Sequence, residues 1–317
     1  MSMSTTPTVE VEEDGSISIS ISKSAAVLAC GAMAVFYVAV LYAPTGLLRM
    51  STPVSRDHYF IRRFVCAALS TALSVAATFY LLTLGELQGL SAMSRVFGLR
   101  TDHLWQAVLI PLSLTSLIYL GSFFCKLHAH NISHNGFIPC VKQLPQRLAR
   151  CARNVMAWRN YFVAPITEEV VFRACMIPLL LCAGFSTTLI IFLCPMFFSL
   201  AHLNHFIELY YQGRHSFSRA LLVVGFQLCY TVVFGWYAAF LFIRTGTLIA
   251  PIVAHIFCNY MGLPSFHASH MRGLETIAFL AGVVGFFTLL FPATRPNLYN
   301  HRITGCNCWQ AYCILYQ

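Results

Sequence analysis

Long apolar runs recur along most of the chain, and short polar or basic segments separate them. A helix needs about 20 apolar residues to cross the hydrocarbon core of a bilayer. About eight runs approach that length, near residues 25–43, 64–84, 104–124, 161–182, 186–203, 218–243, 247–263 and 275–292. The pattern predicts an all-α fold, a polytopic integral membrane bundle of about eight transmembrane helices. Seven spans is the alternative, because Pro178 and Gly184 interrupt the stretch 161–203.

The polar ends of the chain set the expected limits of the membrane domain. Residues 1–23 are polar and acidic, whereas a secretory signal peptide starts with a basic segment. We therefore expect a flexible N-terminal tail over 1–23. One membrane-embedded domain follows over 24–293, and a C-terminal tail covers 294–317.

Composition supports the membrane assignment and narrows the partners. The chain of 317 residues is 58% hydrophobic and 10% charged, whereas soluble domains carry about 25% charged residues. The net charge of +9 comes from basic residues scattered in loops beside the apolar runs. That arrangement suits control of topology and contact with anionic lipid headgroups. We expect the lipid bilayer as a partner, and no nucleic acid.

The basic loops also predict an orientation. Cytosolic loops carry an excess of lysine and arginine, and two loops of this chain do so. They contain Arg49, Arg56, Arg62 and Arg63 in the first loop, and Lys126, Lys142, Arg147, Arg150, Arg153 and Arg159 in the third. With both loops in the cytosol, the buried polar residues of the later runs converge on the cytosolic half of the bundle.

Two carboxylates and one guanidinium stand inside an apolar run, at Glu168, Glu169 and Arg173. A charge at the bilayer centre costs at least about 2.5–3.5 kcal/mol, so such residues usually mark a functional site. Glu169 precedes Arg173 by four residues, the favourable order for an ion pair on one helix face. Glu168 points about 100° away on the helix and is left for other chemistry. The alternative interpretation is a structural cluster of ion pairs that joins helices.

Two later runs supply candidate partners for Glu168. His202 follows Phe198 by one helical turn, and His255 precedes Asn259 by one turn, so imidazole and carboxamide share a helix face. A glutamate in an apolar cavity can act as a general base, and a histidine can orient the same water. A second histidine and an asparagine can donate hydrogen bonds to an oxyanion. These groups suffice to hydrolyse a peptide bond without a covalent intermediate.

The three motifs resemble those of a known family. They are Glu-Glu-x-x-x-Arg at 168–173, Phe-x-x-x-His at 198–202 and His-x-x-x-Asn at 255–259. In this order they are similar to the motifs of the type II CAAX prenyl endopeptidases, and the resemblance covers residues 155–265. It implies that Glu168 activates water with help from His202, while His255 and Asn259 stabilise the oxyanion. Glu169 and Arg173 would support the site.

The resemblance also implies a substrate and a place in the cell. Members of the family remove the last three residues from prenylated CAAX proteins such as small GTPases. They are multi-pass proteins of the endoplasmic reticulum membrane, with the active site open to the cytosol. A prenyl chain could lie between helices while the peptide enters a cytosolic cavity.

Three other interpretations remain open from the residues alone. Glu168, His202 and His255 could form a zinc site, although the chain contains no His-Glu-x-x-His sequence; we expect no cofactor. A proton-coupled transporter could also use buried carboxylates and histidines, but the two related halves typical of many transporters are not apparent. The third is a protease-derived membrane scaffold that has lost activity.

Overall fold

The structure is a computed structural model. It describes residues 21–51, 53, 55–83, 94–132, 144–203, 206, 209–210, 216–264 and 273–299. Across these residues the chain forms helices and connecting turns and has no strand, which confirms the all-α prediction. The predicted N-terminal tail lies outside the described residues except for 21–23, and the predicted C-terminal tail except for 294–299.

The helices follow the apolar runs closely. In chain order they are α1 (Lys23–Gly46), α2 (Arg56–Thr83), α3 (Leu104–Ile118), α4 (Leu120–Ile132), α5 (Leu144–Ala152), the stretch from Val155 to Cys182 described below, α9 (Thr187–Leu200), α10 (Phe217–Thr245), α11 (Ile249–Met261) and α12 (Gly273–Ala293). Short 3₁₀ turns follow α9 at Ala201–Leu203 and α12 at Pro296–Leu298. The hydroxyl groups of Ser22 and Ser186 cap the amino ends of α1 and α9. Gly246 ends α10 in the left-handed conformation that favours glycine.

The helix lengths confirm a polytopic membrane protein. Within the described residues, α1, α2, α10 and α12 are long and apolar enough to cross a bilayer. The pair α3 and α4 makes a fifth candidate if it counts as one span, although the two helices are bent by 71° relative to each other. Helix α11 has only 13 residues, or roughly 20 Å at 1.5 Å per residue. The count of about eight spans therefore stays a prediction.

The stretch from Val155 to Cys182, here called the site helix, changes its winding four times. It consists of α6 (Val155–Trp158), a π-helical segment (Arg159–Val163), α7 (Ala164–Glu169), a second π-helical segment (Val170–Cys175) and α8 (Met176–Cys182). Pro165 and Pro178 explain both π segments, because a proline has no N–H for the carbonyl four residues earlier. Those carbonyls, of residues 161 and 174, lie inside the two π segments. Such segments are frequent at functional sites.

Close packing of α9 on α10 fixes the position of the chain that follows α9. A Cβ atom placed on Gly235 of α10 would lie 2.6 Å from Cβ of Pro195 in α9, so only glycine fits there. Small residues permit such close approach between membrane helices. The contact brings the end of α9 and the middle of α10 against the site helix, where Phe172, Phe198 and Phe234 are all buried.

Candidate active site

The ion pair predicted from the four-residue spacing lies at the centre of the polar cluster. Arg173 Nη1 donates to Glu169 Oε1 at 3.1 Å, and both side chains are almost completely buried. The guanidinium also packs over the ring of Phe198, with its carbon 4.6 Å from the ring centroid. Nη2 of Arg173 has no hydrogen-bond partner within the described chain. One ion pair and the rings of Phe198 and Phe234 therefore hold this cation.

His255 of α11 lies between the two glutamates. Its Nδ1 is 2.7 Å from Glu169 Oε1, and its Nε2 is 3.8 Å from Glu168 Oε2. Because an ionised carboxylate can only accept, Nδ1 of His255 carries a hydrogen and donates a hydrogen bond to Glu169. The Nε2 atom, which faces Glu168, then carries a lone pair in the neutral ring and a second N–H in the imidazolium. Phe234 packs against the imidazole, with ring centroids 4.8 Å apart.

His202 approaches from the 3₁₀ turn after α9. Its Nδ1 is 2.9 Å from the carbonyl oxygen of Phe198, and a carbonyl only accepts, so Nδ1 is the donor. Nε2 of the neutral ring then carries the lone pair. The Phe198 ring lies edge-on to both histidines, with centroid distances of 4.8 Å to His202 and 6.3 Å to His255. Phe198 thus packs against both imidazoles and the Arg173 guanidinium.

Glu168 and His202 line one cavity of about 80 Å³. A single water needs roughly 10–15 Å³ of such space, so the cavity holds several. Its walls come from α1, α2, the site helix and the end of α9, and nine of the lining side chains are apolar. The polar and charged members are Tyr37, Arg63, Arg159, Thr167, Glu168 and His202. A carboxylate and an imidazole therefore face the same small space between apolar walls.

Tyr37 of α1 contacts the helical turn that carries Glu168. The hydroxyl of Thr167 donates to the carbonyl of Val163 at 2.7 Å, which leaves its oxygen to accept from Tyr37 at 2.9 Å. The Tyr37 ring also packs edge-on against Phe172 at 5.7 Å. These contacts restrict the rotation of the site helix at Glu168. A lone tyrosine in an apolar run gives no sequence signal of this role.

Asn259 and His255 are both absent from the described lining of the cavity that contains Glu168 and His202. The side chain of Asn259 is exposed, and its Nδ2 donates at 2.9 Å to the backbone carbonyl of Asn160, in the first π segment of the site helix. The amide nitrogen still has a second hydrogen to donate. The direct oxyanion role of Asn259 stays a prediction, whereas its bridge from α11 to the site helix is visible.

The described residues contain no group of three or more His, Cys, Asp and Glu side chains placed to hold a metal ion. Glu168, His202 and His255 accordingly do not form such a group in this arrangement. Two further residues of the cavity are Arg63 and Arg159, which the sequence analysis assigned to basic loops. The position of Arg159, on the same apolar helix as Glu168, was an available signal.

Comparisons with known proteins agree with the motifs. A family model described as type II CAAX prenyl endopeptidase Rce1-like matches residues 152–261. CAAX prenyl protease 2 of Arabidopsis thaliana is 52% identical over 305 residues, which cover 93% of this chain and 97% of that protein. CAAX prenyl protease 2 of Homo sapiens is 37% identical over 286 residues, covering 86% of this chain and 82% of the human protein. No solved structure matches the chain.

Proposed function

Since the chain belongs to the type II CAAX prenyl endopeptidase family, we propose that it removes the last three residues of prenylated CAAX proteins, small GTPases among them. It is a membrane protease of the CAAX type, and the peptide bond it cleaves follows the prenylated cysteine. The observation that carries the proposal is the cavity that Glu168 and His202 both line, between apolar walls. The proposed site is open to the cytosol, in the membrane of the endoplasmic reticulum.

In the proposed reaction, Glu168 takes a proton from a water molecule as that water attacks the scissile carbonyl. His202 accepts the second hydrogen bond of the water through Nε2, since its Nδ1 donates to Phe198. The attack forms a tetrahedral oxyanion. Cleavage of the C–N bond then releases the tripeptide, whose new amino group receives the proton from Glu168. No covalent enzyme intermediate and no metal ion take part.

In the proposed site, Glu169, Arg173 and His255 form a buried polar group next to Glu168 and compensate part of its negative charge. Glu169 accepts from both Arg173 and His255, so one carboxylate fixes the positions of a guanidinium and an imidazole. Nε2 of His255 can donate to the oxyanion only when the ring is doubly protonated, because Nδ1–H is already directed at Glu169. His255 as an imidazolium would bring the formal charge of Glu168, Glu169, Arg173 and His255 to zero.

The proposal is tested by cleavage of a farnesylated CAAX peptide with purified, metal-analysed protein. Glu168→Gln and His202→Ala should each lower kcat by at least about 100-fold, the usual worth of a general base. Glu275→Gln changes another buried glutamate, in α12 and outside the site, and should retain activity. Normal turnover by Glu168→Gln would contradict the base assignment. Inhibition by a chelator that zinc relieves would contradict the metal-free mechanism.

A further inference from the structure

Two arginines line the cavity that contains Glu168. Arg63 comes from the first turns of α2, and Arg159 from the first π segment of the site helix. Among the residues of the cavity wall that the structure describes, Glu168 carries the one carboxylate. Charged side chains within membrane segments usually mark a substrate or ion pathway. The part of the cavity lined by Arg63 and Arg159 is therefore suited to bind an anionic ligand.

Aromatic and sulfur contacts orient the two guanidiniums. The Arg159 guanidinium carbon lies 5.5 Å from the ring centroid of Phe60, and its Nη1 is 3.9 Å from Sδ of Met156. The guanidinium carbon of Arg63 lies 5.4 Å from the ring centroids of Tyr42 and Tyr59, and its Nη1 donates to the Tyr59 hydroxyl. No ion pair found within the described chain includes Arg159. For Arg159, stacking on an aromatic face leaves the edge of the guanidinium available for bidentate binding of a carboxylate.

The spacing between Arg159 and Glu168 matches the length of the released peptide. Arg159 precedes Glu168 by nine residues in one continuous helix, or roughly 13 Å along the axis. Val163, Ala164 and Thr167 line the cavity between them. Three extended residues span at most about 10–11 Å, and the arginine side chain covers the difference. A peptide cut beside Glu168 would therefore place its carboxyl terminus at the arginines.

From these observations we propose that Arg63 and Arg159 bind the C-terminal carboxylate of the substrate. The two arginines would thereby select substrates by length. They accept a chain that ends three residues beyond the scissile bond, and they reject chains that are longer or whose carboxyl terminus is blocked. This inference rests on the proposed function, since it assigns a binding subsite within that reaction. The subsite recognises a free α-carboxylate whatever the side chain of the last residue.

The test compares two farnesylated CAAX peptides that differ only in a C-terminal carboxylate or amide. The full-length protein should cleave the acid with a KM lower than that of the amide by about 10- to 100-fold, the usual worth of a hydrogen bond to a charged group. Arg159→Gln and Arg63→Gln should each raise KM for the acid, and the double variant should bring the acid-to-amide ratio close to one. Arg159→Lys should retain part of the preference.

Arg150→Gln provides the matched control, because Arg150 is an exposed arginine of α5 outside the cavity. It should retain the full acid-to-amide ratio. Loss of activity towards both peptides in equal proportion by Arg159→Gln would indicate a structural role and overturn the inference. Equal cleavage of acid and amide by the unaltered protein would overturn the inference while the proposed function stands. Cleavage of neither peptide would overturn both.

Discussion

The position of His255 between Glu168 and Glu169 makes its protonation state central to its chemistry. Glu169 holds Nδ1–H at 2.7 Å, so the side of the ring that faces Glu168 carries either a lone pair or a second proton. With the lone pair, His255 can only accept; with the proton, it can donate to Glu168 or to an oxyanion. The buried ion pair of Glu169 and Arg173 keeps the ring in that orientation.

At this scale we predict that Arg173→Met lowers the free energy of unfolding by about 3–5 kcal/mol, the usual cost of breaking a buried ion pair. The reason is that Glu169 is fully buried and would lose the one arginine that it contacts within the described part of the chain. Thermal unfolding in detergent measures the change. Arg150→Met, at an exposed position, should leave the melting temperature within about a degree, since surface substitutions change stability by less than about 0.5 kcal/mol.

A double variant separates the loss of the pair from the loss of arginine packing. Glu169→Gln with Arg173→Met leaves no uncompensated charge, so it should be more stable than Arg173→Met alone. Equal stability of the two variants would mean that the contact of Arg173 with Phe198 matters more than its charge.

Motif spacing predicted some of these positions and not others. The four-residue offset gave the Glu169 and Arg173 pair, because a helix alone determines that contact. It also placed Asn259 on the face of His255, but the partner of Asn259, the backbone carbonyl of Asn160, lies 99 residues earlier. The cavity positions of Arg63 and Arg159 likewise depend on how α2 packs against the site helix. Contacts between distant segments leave no local pattern.

Among the helices, the contact of α9 with α10 governs the position of His202. Pro195 in α9 meets Gly235 in α10, and His202 follows seven residues after Pro195. Any movement of α9 away from α10 therefore displaces the imidazole relative to Glu168. The cavity depends on packing as much as on its polar residues.

We predict that Gly235→Ala lowers both stability and activity. The added methyl group would lie 2.6 Å from Cβ of Pro195, and overpacking of this kind costs about 1–3 kcal/mol. Gly225→Ala, in the same helix with open space around the added methyl group, is the control and should be neutral or slightly stabilising. Melting temperature and kcat on the farnesylated peptide provide the measurements. Matching behaviour of the two variants would count against this account of α9.

Apolar run length predicted where the helices lie but not their geometry. The run near 104–124 is divided into α3 and α4 with a bend of 71°, and the run near 247–263 forms a helix of 13 residues. Hydropathy reports how apolar a segment is, and says nothing of a bend or of the exact ends. Hydropathy likewise did not predict the π segments, although Pro165 and Pro178 were local signs of interrupted hydrogen bonding.

Across the whole molecule, the cavity opens at one end of the bundle. Its lining residues Leu41 and Arg63 lie near the carboxyl end of α1 and the amino end of α2, beside the basic first loop. Arg159 lies in the second turn of the site helix, shortly after the basic third loop. The same end of the molecule therefore holds the cavity and the two loops whose charge predicts a cytosolic location.

We predict that this end faces the cytosol in sealed microsomes. A membrane-impermeant maleimide should label Cys151, a partly exposed residue of α5 in the third loop. A cysteine introduced by Leu99→Cys, at an exposed position between α2 and α3, should react only after permeabilisation. Mass spectrometry of the labelled peptides distinguishes the two sites. The opposite labelling pattern would reverse the orientation and remove cytosolic access to the cavity.

The winding of the site helix decides which glutamate the cavity receives. A π segment adds one residue to a turn, so everything after it is set back by about 100° relative to an uninterrupted α-helix. If the first segment were wound as ordinary α-helix, the residues beyond it would advance in phase by one position. Glu168 would then take the direction of Glu169, towards His255 and Arg173, and Thr167 would take its place in the cavity. The order of residues in the motif therefore does not by itself determine which glutamate lines the cavity. The phase of the helix determines it as well, and the π segment that precedes Pro165 sets that phase.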